Sequence, residues 1–551
     1  MFKRNFPKFL NKPLEKPELY PYLYAINFKG LEERIKKELD IAPIQCSKCG
    51  AILTDIDQIK EDSKIGTYFN CKYCGTLNTV EKTTLIERLP DEIEFILRDV
   101  QKKVEEKIEA MEHTEGELYI AVIDISGSMS SGKIEAVKKS LVQTLKDFKL
   151  NSPSTKFLLI AFESSVYYYL KHDRDAIKFS GDALFSIEGM RKLYEQSVKD
   201  LSVGSIGEFA DGWIKKIQNL RTIDMTALGP ALFFAILSFE KLGLTGRITL
   251  LTDGLANQGI GNLSGTSPGA EQYYEKMAEL CNQLNIIVDF VGVSSPGDNN
   301  EMGLQTLGKI TDKTGGNMYL ISSDKVEAIF SELRQKEYLG KDVAVRIITP
   351  PNVKVKNISG AYSSRNQVQE SEINLGAVTR DRELYVELDL SSEEIKEIQK
   401  EAIPMQLQVE YLDKDGRKRL RVLNEEVPIT SSEKEFKANY DQKVNAMMNI
   451  QMAGTEIFSG KADKSRRRLD ELKKNIENEM LNLKGAGMTF AEEDYAEGIA
   501  FLDDELEEIS KEEREMEHAP AKSYMAAQGQ SRARMSQALK KEKIAKKKKE
   551  P

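Results

Sequence analysis

Histidine is nearly absent from this chain: 551 residues contain only His113, His172 and His518. None lies near a motif, which leaves little for histidine-based acid–base or nucleophilic catalysis. No GxxxxGK[ST] loop is present, so P-loop nucleotide hydrolysis is not expected. Long apolar runs are missing as well. The most apolar one, Ala227 to Phe239, is far shorter than the ~20 residues a bilayer crossing needs, and reads as a buried helix. The N-terminus, Met1-Phe2-Lys3-Arg4-Asn5-Phe6-Pro7, is broken by charge and proline and lacks a signal-peptide core. A net charge of -9 disfavours a general nucleic-acid binder, which needs a basic surface. The expected location is therefore cytoplasmic.

What is present divides along the chain. At roughly 150 residues per domain, the length suggests three or four units. Residues 1–41 are mixed, with one helical stretch around Leu31–Leu39. Residues 42–80 hold four of the five cysteines, and residues 81–115 read as a linker helix. From 116 to 336, strand-length apolar runs alternate with helical patterns. The strands are expected at Leu118–Ile125, Lys156–Phe162, Arg247–Thr252, Ile286–Val293 and Met318–Ser322. Helices are expected at Lys133–Phe148, Leu228–Leu242, Gln272–Leu284 and Lys325–Arg334. This is the pattern of a Rossmann-like α/β domain, a mostly parallel sheet with helices on both faces. Leu184–Leu220 reads as a helical insertion. Between 341 and 430 the period changes to two, with Asp415-Gly416 as a hairpin signal, which predicts an antiparallel β-sandwich. Residues 433–518 read as a helical domain with an acidic end: Thr489–His518 carries thirteen acidic residues against two basic ones. The tail, 519–551, is lysine-rich and is expected to be disordered. Its cluster Lys540–Lys549 also fits a nuclear-localisation signal, or contact with an acidic membrane surface.

The cysteines form two knuckles, Cys46-Ser47-Lys48-Cys49-Gly50 and Cys71-Lys72-Tyr73-Cys74-Gly75, separated by a 21-residue spacer between the inner cysteines. Four thiolates suit tetrahedral zinc, and a glycine after each pair supplies the residue free to take positive φ. A redox dithiol is the competing reading, disfavoured by two matched knuckles. Four thiolates leave no open position, so the zinc is expected to be structural. Cys281 lies on an apolar helix face and is expected in the core.

A second constellation is all oxygen. Asp124, Ser126 and Ser128 follow a buried strand, and alternate residues of such a turn can aim their oxygens at one centre. Thr226 opens an apolar helix, and Asp253 closes the strand before Gly254. Hydroxyls and carboxylates suit hard divalent cations such as magnesium, manganese or calcium. With two charged ligands, the ion would keep an electrophilic position that an acidic residue of a protein partner could fill. The bland alternative is a capped strand–helix turn, since Ser and Asp are favoured caps. Asp224 could replace or join Thr226.

DISGS, a downstream threonine and a TDG turn together resemble the metal-ion-dependent adhesion site of von Willebrand factor A (vWA) domains. The match covers about residues 116–336. It implies that Ser126, Ser128 and Thr226 ligate directly and that Asp124 and Asp253 act through water. The order of domains further resembles the COPII inner-coat family, the Sec23/Sec24-like proteins. Its closest wording is Asn374-Leu375-Gly376-Ala377-Val378-Thr379, Leu384-Tyr385-Val386-Glu387-Leu388, and Asp415 through Val422. That family carries a C-terminal gelsolin-like domain, where this chain has a charged tail. One of its members stimulates a small GTPase through an arginine that matches no segment here. The first 40 residues are short for the sandwich strands the family places there. Its adhesion sites are largely degenerate, whereas the one here reads as complete. The expectation is therefore a non-enzymatic, metal-dependent protein-binding adaptor of coat-like architecture. A vesicle-coat subunit in ER-to-Golgi transport is the first alternative, and a metal-dependent hydrolase the second.

Overall fold

The computed structural model describes residues 2–32, 35, 38–54, 58–80, 89–97, 117–130, 132–222, 226–253, 256–263, 268–294, 304–322, 338–359, 364–367, 370–380, 382–390, 402–413, 416–458 and 461–515. The basic tail, the helix expected at Lys325–Arg334 and most of the expected linker helix lie outside them. Among the described residues, no helix is long and apolar enough to cross a membrane.

The α/β domain is built on a seven-stranded sheet. Its order is Ile177–Phe179, Val166–Tyr169, Lys156–Phe162, Leu118–Asp124, Gly246–Thr252, Ile286–Ser294 and Met318–Ser322. The last five strands run parallel, and the first two close one edge antiparallel. Strand Leu118–Asp124 is buried along its whole length. Leu118, Ile120 and Val122 face one core, while Tyr119, Ala121 and Ile123 face another. A parallel strand covered on both sides must be apolar throughout, which is why it shows no alternation.

Helix Leu228–Leu242 covers one face, with every residue from Leu228 to Phe239 buried. Pro230 is tolerated in its first turn, where the missing N–H would have no partner anyway. Gly243, at φ 62, ends it in the left-handed conformation. Helices Lys133–Asn151 and Ile206–Gln218 cover the other face. The expected insertion therefore divides: helix Ile187–Ser197 packs against the first core, and Ile206–Gln218 against the second. The strand order reverses on either side of Leu118–Asp124, which makes its carboxyl end the crevice where ligands of such sheets bind.

The sandwich draws on more of the chain than residues 341–430. One sheet runs Ser364–Gln367, Glu370–Thr379, Tyr338–Ile348, Ala402–Leu412, Lys418–Thr430, Glu92–Ile96 and Glu38–Leu39. The other runs Phe2–Arg4, Tyr22–Asn27, Glu383–Asp389 and Lys354–Ser359. Three expectations are corrected here. Residues 92–96 form a strand rather than part of a linker helix, with Ile93 and Phe95 buried on one face beside Leu420 and Val422. Around Leu31–Leu39, where a helical stretch was expected, the described residues hold a short 3-10 turn, Lys29–Glu32, and strand Glu38–Leu39. The N-terminal residues are long enough to supply sandwich strands. Tyr22–Asn27 pairs with Glu383–Asp389 over six residues. Tyr24 and Ile26 enter the sandwich core while Leu23 and Ala25 meet the helical domain. Burial on both faces erased the period that would have revealed this strand.

Helices Gln442–Phe458, Ala462–Gly485 and Glu492–Glu515 form the helical domain. It meets the α/β–sandwich body through that four-stranded sheet. The α/β domain meets the sandwich at a pair of glycines. Gly315 (φ +75) and Gly376 (φ +66) both occupy the left-handed region. A Cβ on Gly315 would lie 2.2 Å from the Ala377 carbonyl oxygen, and one on Gly376 2.6 Å from that of Lys313. Gly376 lies within one of the stretches that carried the coat-family resemblance.

Candidate metal centres

The cysteine quartet sits on a three-stranded ribbon, Ile59–Asp62, Gly66–Asn70 and Leu77–Thr79. The two knuckles repeat each other. Gly50 N–H donates to the Cys46 carbonyl at 2.9 Å, and Gly75 N–H to the Cys71 carbonyl at 2.8 Å. Cys46 N–H and Cys71 N–H close the loops onto Ala51 and Thr76 at 2.8 and 2.9 Å. Both glycines have φ near +70 (69 and 72), the conformation their position demanded. Sγ of Cys46 lies 3.5 Å from Sγ of Cys74, Sγ of Cys49 lies 3.5 Å from Sγ of Cys71, and all four fall within 4.8 Å of one another. A tetrahedron with Zn–S near 2.3 Å has edges of about 3.8 Å, so donor set and spacing fit a zinc ion.

Around the sulfurs, Asn78 Nδ2 donates to Cys46 Sγ at 3.5 Å, while its Oδ1 accepts from Ser47 N–H at 2.8 Å. The Cys71 thiol is lowered to about 5, chiefly because its sulfur accepts from Cys49. Gln406 and Gln408 bind the ribbon to the sandwich. Gln406 Oε1 accepts from Ile52 N–H at 2.8 Å and its Nε2 donates to the Ile52 carbonyl at 2.9 Å; Gln408 Nε2 donates to the Gly50 carbonyl at 2.9 Å. Cys281 is fully buried in the α/β core, where burial pushes its thiol up.

At the crevice, the structure brings four of the five expected oxygen donors together. Asp124 ends its strand, and Asp253 follows the neighbouring strand, whose Leu251 is in register with Ile123. Ser128 Oγ donates to Asp253 Oδ1 at 2.6 Å, and the Ser126 and Ser128 hydroxyl oxygens are 3.0 Å apart. Ser126 N–H donates to Asp124 Oδ1 at 2.8 Å, and the Thr252 hydroxyl donates to Asp124 Oδ2. Asp124 and Asp253 are both fully buried. Burial is the main cause that pushes the Asp124 carboxyl up to about 7; the Ser126 and Thr252 hydrogen bonds oppose it, and Asp253 adds to it.

Thr226 is held by other partners. Its N–H donates to Asn257 Oδ1 at 3.0 Å, and its carbonyl accepts from the N–H groups of Asn257 and Gln258. It is buried and its loop is clamped to the loop after Asp253. Among the described contacts, no hydrogen bond joins it to the other four. Asp224, the alternative to Thr226, lies outside the described residues.

Residues 115–337 match the Sec23/Sec24 trunk domain, and residues 340–430 match the Sec23/Sec24 beta-sandwich domain. The chain carries the trunk and β-sandwich domains of the COPII inner-coat family. Protein transport protein sec24 of Aspergillus oryzae is 22% identical over 472 residues, 79% of this chain and 50% of that protein. Circularly permutated Ras protein 1 of Dictyostelium discoideum is 22% identical over 446 residues, 74% of this chain and 51% of that protein. The chain thus spans about half the length of these curated relatives. The human COPII-coat protein Sec24c shares the fold across 97% of this chain and 74% of its own, with a TM-score of 0.66 at 16% identity.

Two residues of the trunk crevice escaped the sequence reading. Lys133 Nζ lies 2.7 Å from Asp253 Oδ2, with side chains 4% and 0% exposed. Lys133 thus adds a positive charge that the sequence reading did not count. Its signal was a lysine opening a helix, where the helix dipole disfavours a cation. Glu163, 3% exposed, follows strand Lys156–Phe162 directly; its carbonyl accepts from Ala227 N–H and its carboxylate accepts from the Tyr167 hydroxyl at 3.0 Å. Its signal was an acid ending an apolar strand at the sheet's carboxyl edge. The two centres thus differ in fit. The quartet suits zinc as it stands. The Asp124 array has the right oxygens for a hard cation, but one oxygen of Asp253 already holds an ammonium.

Proposed function

We propose that the chain is a non-enzymatic protein scaffold of the COPII inner-coat type, Sec24-like, acting in vesicle-mediated transport between ER and Golgi. The observation that carries this reading is the unbroken order of ribbon, trunk, sandwich and helices. It runs along nearly all of the chain in the same fold as a known coat protein. In this reading Cys46, Cys49, Cys71 and Cys74 hold a structural zinc. The zinc ties the ribbon together, and Gln406 and Gln408 fix the ribbon on the sandwich. Partners would be a second inner-coat protein and a small GTPase on a membrane surface. The test is co-sedimentation with acidic liposomes carrying a GTP-loaded small GTPase of the coat. Recruitment that depends on GTP is expected; a chain that stays in the supernatant in both nucleotide states overturns the reading.

A second reading rests on one specific observation, the convergence of Asp124, Ser126, Ser128 and Asp253 from two loops. It treats the trunk as a vWA domain with an adhesion site in which these residues and Thr226 hold magnesium or a similar ion that captures an acidic residue of a protein ligand. A groove of about 500 Å³, lined by Glu135, Lys138 and Arg221 among others, lies against helix Lys133–Asn151, whose first residue pairs with Asp253. Asp124→Ala or EDTA is expected to abolish partner capture; capture unchanged in EDTA sinks this reading alone.

A further inference from the structure

Lys133 is out of place by every local rule. It is the first residue of the 19-residue helix Lys133–Asn151, where aligned peptide dipoles oppose a cation. It is also 3% exposed, although lysine is almost never buried unless paired. What holds it is Asp253, 2.7 Å away and itself fully buried. Gly132, at φ +92, gives the chain the left-handed step that starts the helix at this residue.

The ammonium sits at one end of a continuous array. Lys133 takes Asp253 Oδ2, Asp253 Oδ1 takes the Ser128 hydroxyl, and the Ser128 and Ser126 oxygens are 3.0 Å apart. In an octahedron with metal–oxygen distances near 2.1 Å, neighbouring oxygens lie about 3.0 Å apart, so the serine pair is already spaced as two adjacent magnesium ligands. The serine spacing would suit a divalent ion, yet one of the two carboxylates is neutralised from within.

We infer that Lys133 is a tethered counter-ion that competes with a divalent cation for Asp253 and thereby sets how tightly the crevice holds one. The inference rests on the second reading above, in which the crevice is a cation site. Replacing the ammonium by a neutral side chain leaves the crevice one unit more negative toward an incoming ion. A buried ammonium and a divalent ion sharing one carboxylate also repel each other in surroundings that screen poorly. The same ammonium keeps Asp253 paired when no divalent ion is present, so the crevice holds its shape without one.

Manganese tests this, as a spectroscopic stand-in for magnesium. Its binding is followed by electron paramagnetic resonance and calorimetry on the full chain with zinc supplied, using wild type, Lys133→Met, Lys133→Gln and Lys133→Gln combined with Asp124→Ala. Thermal melting with and without manganese is read alongside. The expected result is manganese binding at least ~10-fold tighter in both Lys133 variants than in wild type. Their melting temperatures should rise with manganese while that of wild type stays nearly fixed, and adding Asp124→Ala to Lys133→Gln should remove the tight binding. If wild type and the Lys133 variants bind manganese equally, the competition is overturned while the cation site stands. If none of them binds, or if Lys133→Gln binds equally tightly with and without Asp124→Ala, the cation site and the competition fall together. The glutamine variant keeps a hydrogen-bond donor opposite Asp253, so a methionine variant that fails to fold leaves the test intact.

Discussion

The two centres solve the problem of gathering donors in opposite ways. The quartet is local: two knuckles, 21 residues apart, repeat one hydrogen-bond pattern and bring only like donors. The trunk crevice is assembled from afar, with Asp124 and Asp253 more than a hundred residues apart in the chain and joined by neighbouring parallel strands. Four thiolates without a metal repel one another and depend on an ion for their arrangement. The crevice carries its own cation in Lys133. The comparison teaches that convergence of donors is not by itself a demand for metal; the decisive quantity is the charge left over once the chain's own groups are counted.

The largest effect should come from breaking the local centre. Structural zinc in small domains contributes ~10–16 kcal/mol of apparent binding energy at neutral pH, which is folding energy for the ribbon. Cys71→Ser should therefore abolish stoichiometric zinc by metal analysis. It should also strip amide-exchange protection from residues 58–80 while the trunk strands keep theirs. A full equivalent of zinc in the variant would show that the quartet is not the site.

A smaller loss is expected in the crevice. Asp253→Ala leaves the Lys133 ammonium buried without its carboxylate, and breaking one side of a buried pair costs ~3–5 kcal/mol. Chemical denaturation should show this, and pairing it with Lys133→Met should restore part of the loss. Equal losses in the single and double variants would show that the ammonium contributes nothing. The smallest effect belongs to the outer contacts of the quartet. Asn78→Ala removes the donor to Cys46 Sγ and the acceptor for Ser47. Loss of such a partner typically weakens a metal site by ~10- to 100-fold, measurable by chelator competition. Unchanged affinity would make Asn78 a fold residue only.

Much of this was legible in the sequence for a physical reason. The quartet announces itself because its chemistry and its turn glycines are contiguous. The parallel strands were legible as apolar runs because both faces of the trunk sheet are covered. Tyr22–Asn27 was missed although Pro21 precedes it: covered on both faces, a run of six shows no alternation to mark it as a strand. Glu92–Ile96 was misread because Ile93 and Phe95 sit inside a longer stretch whose apolar residues also fit helical spacing. Lys133 was invisible because charge pairing is set by the tertiary fold. Nothing in Gly132-Lys133 says that an aspartate 120 residues later will meet it.

The glycine contact between Gly315 and Gly376 carries a mechanical consequence. Where two bodies touch through side chains, rotamer changes can absorb small slides. Here backbone rests on backbone, with no room for a methyl group on either side. The seam has no side chain there that could give, so a substitution at either glycine has to displace backbone in both domains.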